Sequence, residues 1–183
     1  MSNSERKTLA VLVDNESGVL SRVARLFSGK GYNIESLAVG TTHDPAVSRI
    51  TIEVLADERH AGLICSQLRK LICVHSVKRL DAERTIRREL VLIKVLAQTS
   101  ETRNEVIQIA NIFRGAIIDV SKETLTISII GEEKKTDAVQ ELLADFGIVE
   151  MVRTGMVALE RGKYTIDEDT KVKGEFNYGK NVL

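Results

Sequence analysis

One order of elements can be read twice along this chain, and that repeat limits the fold more than any single motif. Residues 8–13 (TLAVLV) are almost continuously apolar, long enough for a buried strand and too short for a globular helix. Over residues 18–30, Val19, Leu20, Val23, Ala24, Leu26 and Phe27 recur on one helical face while Arg22, Arg25 and Lys30 fall on the other, the pattern of an amphipathic helix. Ser17 is placed to cap its start, and the glycines at 29 and 31 to stop it in the left-handed conformation. Residues 32–39 read as a strand, and a polar loop, GTTHDPA, holds the one proline. In residues 48–55, Ile50, Ile52 and Val54 alternate with Arg49, Thr51 and Glu53, as in a sheet covered on one face. A helix over 58–71, gathering Ile64, Leu68 and Leu71, and a strand over 74–80 complete a βαββαβ unit.

A charged segment without apolar periodicity, residues 81–88, reads as a linker. The order then returns. Residues 89–97 (ELVLIKVLA) form a strand, and Val106, Ile109, Ala110 and Phe113 have helical spacing. Strands over 116–120 and 124–130 flank the turn Ser121-Lys122-Glu123, Val139, Leu142, Leu143 and Phe146 mark a helix, and 148–153 is a last strand. The pattern predicts an α+β chain of two ferredoxin-like βαββαβ domains, residues 1–80 and 89–162, each with helices on one face of an antiparallel sheet. Residues 163–183 are polar and glycine-containing and read as a peripheral tail.

Composition removes several function classes. The 26 basic and 26 acidic residues balance, so no global field favours nucleic acid. With four Phe, three Tyr and no Trp, and Phe27, Phe113 and Phe146 on apolar helix faces, few aromatics remain for stacking bases. No run approaches the ~20 apolar residues of a membrane span, and the polar N-terminus points to a cytoplasmic chain. Cys65 and Cys73 form no CxxC pair and have no histidine at zinc-finger spacing, so buried thiols are expected and no metal site. His43, His60 and His75 are scattered. Neither a GxxxxGK[ST] loop nor a GxGxxG turn occurs. Arg22 and Asn33 resemble an acylphosphatase pair only superficially, because Arg22 lies on the polar face of its helix.

The stretch from Asn15 to Ser36, NESGVLSRVARLFSGKGYNIES, is where chemistry concentrates. A helix start offers unpaired N–H groups and a positive dipole end, suited to a carboxylate. Gly18 leaves the approach open, and Asn15 and Asn33 can each donate and accept hydrogen bonds, which suits a free amino acid. Caps and turns favour the same residue types. On the residues alone both readings stand.

The stretch resembles the ACT domain that opens the small, regulatory subunits of acetohydroxyacid synthase, also called acetolactate synthase. HDPAVSRITI (residues 43–52) resembles that family's DP-x-x-SR segment, and RELVLIKV (88–95) with FRGAIIDV (113–120) its second-domain signatures. The similarity covers residues 8–162. It implies a regulatory chain that is not itself an enzyme and holds no cofactor. Such a chain pairs as a homodimer through its ACT domain, residues 1–80, and binds a catalytic large subunit carrying thiamine diphosphate, Mg and FAD. It activates that partner and confers feedback inhibition by valine, or another branched-chain amino acid, in branched-chain amino acid biosynthesis. Asn15, Gly18, Val19, Leu20, Asn33 and Ile34 would form the effector site, with no nucleic acid or membrane as partner. The rival expectation is a stand-alone amino-acid-sensing ACT regulator of another enzyme or of transcription, for which no helix-turn-helix is evident.

Overall fold

The computed structural model describes residues 5–166 of the 183. These fall into two compact units, one built from residues up to Ile86 together with the segment from Ala158, the other Arg87–Val157.

In the first unit β1 (Glu5–Asp14), α1 (Val19–Lys30), β2 (Ile34–Thr41), β3 (Val47–Ala56), α2 (Glu58–Leu68) and β4 (Val74–Leu80) follow the expected order. The antiparallel sheet runs β2-β3-β1-β4. Ile50, Ile52 and Val54 of β3 are buried toward the helices against Leu9, Val11 and Val13 of β1, as the period-2 alternation predicts. The other face is not open as expected: Thr51 and Glu53 are buried too, with Glu53 accepting from Thr8 Oγ1 and pairing with Arg6. Helix α1 adds Val19, Val23 and Phe27 to this core, and α2 adds Ile64, Cys65 and Leu68. Phe27 meets Tyr32 edge to face at 6.4 Å between ring centroids, a favoured aromatic geometry.

The second unit repeats the order with β5 (Thr85–Leu96), α3 (Ser100–Ile112), β6 (Ala116–Val120), β7 (Thr124–Gly131), α4 (Glu133–Ala144) and β8 (Ile148–Arg153). Its strands lie β6-β7-β5-β8, antiparallel, over a core of Val91, Ile93, Val95, Leu125, Ile127 and Ile129. Thr99 and Thr102 cap α3 reciprocally. Both units are therefore the α+β βαββαβ sandwiches expected.

The differences have local causes. The charged segment 81–88 holds a turn closed by Asp81, whose carbonyl accepts from Arg84 N and Thr85 Oγ1, and β5 already begins at Thr85. Helix α2 ends at Leu68, not 71, because Arg69–Leu71 turn toward β4. A further strand, β9 (Val157–Glu160), pairs with β5. Of the tail from residue 163, expected to be peripheral, residues 163–165 are exposed but Ile166 is packed. Ile166 is buried with Ala10, Leu80 and Ala158. Residues 167–183 of the expected tail lie outside the described residues.

Candidate functional site

The turn between β1 and α1 is set by Gly18, whose φ of 81° is a left-handed value that other residues adopt only at a cost. Gly18, and not Ser17, is the N-cap residue of α1, and no side chain caps the helix start. A β-carbon built on Gly18 would meet nothing within 4 Å. The first turn of α1 therefore presents backbone N–H groups to an open approach, a favourable seat for an anion.

Asn15 is held by three bonds to the β2–β3 loop and β3. Its backbone N donates to Ala46 O at 2.7 Å, its Nδ2 donates to Pro45 O at 2.8 Å, and its Oδ1 accepts from Ser48 Oγ at 3.0 Å. This fixes the amide's orientation and leaves one N–H and one lone pair for another partner. Asp14, one residue earlier, pairs with His75 Nε2 at 2.7 Å, and its backbone N donates to Cys73 O. Ser48, Pro45 and His75 are parts of the turn that the sequence does not announce, since they stand 33, 30 and 61 residues from their partners.

Leu20 is 43% exposed beside the turn, whereas Val19 is 3% exposed and belongs to the core. Val19 can thus offer a ligand its backbone and not its side chain. Asn33 is exposed and donates to Glu35 Oε1 at 2.5 Å, and Ile34 is half-buried against the core. Helix α1 separates these residues from the turn. Its 12 residues span ~18 Å, and β1 and β2 both run antiparallel to β3. Asn15 accordingly lies at the sheet end where β2 finishes, and Asn33 at the end where β2 starts. One chain does not bring the two asparagines together.

The second unit has a shallow cavity lined by Arg88, Gly131, Glu132, Lys134 and Lys135. Its charges are largely engaged: Arg88 pairs with Glu132 at 2.9 Å, and Lys135 Nζ donates to Ile130 O at 2.9 Å. Among the described residues no group of three His, Cys, Asp or Glu could hold a metal ion, and no helix is long and apolar enough to cross a membrane.

Residues 9–76 match the family model described as the AHAS small subunit-like ACT domain, and residues 88–162 match that of the small subunit of acetolactate synthase. The chain is 47% identical over 163 residues to the acetolactate synthase small subunit of Aquifex aeolicus, covering 89% of this chain and 85% of that one. It is 47% identical over 155 residues to that of Mycobacterium leprae, covering 85% and 91%. The crystal structure of the acetolactate synthase small subunit from Thermotoga maritima superposes with a TM-score of 0.82 at 38% identity, covering 87% of this chain and 99% of that one. With two family models in register on its two units and relatives matched over most of their length, the chain belongs to the family of acetolactate synthase small subunits.

Proposed function

We propose that the chain is the regulatory, non-catalytic partner of an acetolactate synthase large subunit, that it raises that subunit's activity, and that valine or another branched-chain amino acid bound between two copies of it turns the activity down. The thiamine diphosphate, Mg and FAD of the reaction belong to the large subunit in this reading. A small subunit implies a large one.

The observation that carries the effector site is the uncapped, open start of α1 beside an Asn15 amide whose orientation is already fixed. The effector's carboxylate would take the helix N–H groups, and Leu20 and Ile34 would face its branched side chain. Two copies supply both asparagines. Strand β2 is an edge of its sheet, and an edge is an open template for another strand. Antiparallel pairing of two β2 strands about a two-fold axis sets the start of one beside the end of the other. Asn33 and Ile34 of one copy then approach Asn15 and Gly18 of its mate, twice per dimer. Calorimetry with valine, leucine and isoleucine tests this. Binding with one site per chain is expected, with preferences among the three within about 1–3 kcal/mol, the worth of a methylene in an apolar pocket. Absence of heat for all three would remove the effector reading.

A further inference from the structure

The segment 158–166 crosses the face of the first sheet that the helices leave bare. Ala158 and Ile166 are buried there against Ala10 and Leu80. Arg49 of β3 donates to Ala158 O at 2.9 Å, Ser76 of β4 donates to Ile166 O at 3.0 Å, and Lys78 of β4 donates to Thr165 O at 3.0 Å. Lys78 also pairs with Glu160 at 2.7 Å, both side chains largely buried. Arg161 N donates to Arg84 O at 2.8 Å. Its first residues, in β9, pair with β5, and side chains fasten the segment as a strap to two further strands, β3 and β4.

Those two strands fasten the Asp14-Asn15 turn from the other face, one residue away in each case. Ser48 holds Asn15, and its neighbour Arg49 holds the strap. His75 holds Asp14, and its neighbour Ser76 holds the strap. Successive residues of a strand point to opposite faces but share one backbone, so a shift of β3 or β4 at these positions is felt on both.

We propose that the strap is a coupling element for the turn: docked, it fixes β3 and β4 where they set Asp14 and Asn15, and its release loosens the turn. By linkage, whatever fills the turn tightens the strap. The linkage half rests on the effector reading above, and the coupling itself does not.

Amide hydrogen exchange on the full-length chain tests it without a ligand. Ile166→Asp puts a charge into the strap's buried contact and should free Arg161 N–H. The amides of Asp14 and Asn15, bonded to Cys73 O and Ala46 O, should then exchange roughly tenfold faster or more. If Arg161 accelerates while Asp14 and Asn15 stay within about twofold, the strap is a passive cover and the proposal is overturned. Ser76→Ala removes the hydroxyl that donates to Ile166 O and no apolar group, and keeps the test valid should the aspartate variant fail to fold. It should accelerate the same three amides by roughly two- to fivefold. An Arg161 amide unchanged in both variants also overturns the proposal, because these contacts then do not hold the strap. Titration with valine adds a separate arm: affinity should fall in Ile166→Asp in proportion to the loosening of the turn. Failure of the unaltered chain to bind valine removes the effector reading and leaves the strap to be judged on the amides.

Discussion

At position 18 the backbone and the proposed ligand ask for the same residue for different reasons, and two substitutions separate them. Asparagine and aspartate both tolerate the left-handed conformation better than other side chains do, and they differ by a charge. Gly18→Asn should fold and keep part of its valine affinity, whereas Gly18→Asp should lose binding because a negative charge beside the ligand's carboxylate opposes the field of the helix start. Calorimetry with a thermal melt of each variant distinguishes the two. Equal affinities would move the carboxylate away from α1. Asn33→Ala should cost about 1–3 kcal/mol of binding, a roughly tenfold to hundredfold loss. It should hardly move the melt, since Asn33 is exposed and its amide donates to Glu35, itself on the surface. The thiols make a separate case. Cys65 and Cys73 are 5% and 3% exposed, and burial pushes the Cys65 thiol up from its ordinary range. Neither should react with a thiol reagent at neutral pH until the chain is denatured, and prompt labelling of the native chain would mean that the first core opens readily. The residue types of the candidate site were legible in the sequence. The left-handed turn at Gly18 and the clamp on Asn15 were not: glycine permits a positive φ without dictating it, and the clamp comes from residues 30 and 33 positions away.

Elements were the most legible scale, because their periodicities are local. The alternation in β3 and the helical spacing of α1 each point to a core side, and Ile50, Ile52, Val23 and Phe27 are buried there, whereas Thr51 and Glu53 on the other face of β3 are buried as well and Leu20 of α1 is 43% exposed. Phe27→Ala should lower stability by about 3–5 kcal/mol, read from denaturant unfolding, and a cost below about 1 kcal/mol would mean the helix is not held by this face. Two features escaped because their signals are not periodic. Strand β9 is only four residues long, with Val157 and Leu159 exposed and Ala158 buried, and the start of β5 is written in charged residues that read as a linker. Val19 was read both on the apolar face of α1 and beside the turn, and its side chain lies in the core as the helical spacing requires. The edge strand β2 carries the element-scale prediction. Val39 is 47% exposed on it, and lysine on an edge discourages strand addition. Val39→Lys should shift the chain from dimer toward monomer in sedimentation and weaken valine binding in parallel. A dimer that persists unchanged would place the pairing surface elsewhere.

For the whole molecule, the sequence repeat conveyed two units of one architecture, but not that the chain returns from the second unit to finish the first. Residues 158–166 lie on the first sheet because Ala158 and Ile166 bury there and the side chains of Arg49, Ser76 and Lys78 find backbone carbonyls there. No local pattern records a contact between Ser76 and a residue 90 positions later. Function at this scale is a relation between chains, which only a reconstituted enzyme displays. The measurement is acetolactate formation by the large subunit alone, with this chain added, and with this chain and valine, using the Gly18→Asp chain in parallel. The expected result is a rise in rate on adding either chain and a fall with valine for the unaltered chain only. A large subunit whose rate is the same with and without this chain would contradict the regulatory function itself, and equal valine sensitivity of the two chains would contradict the site.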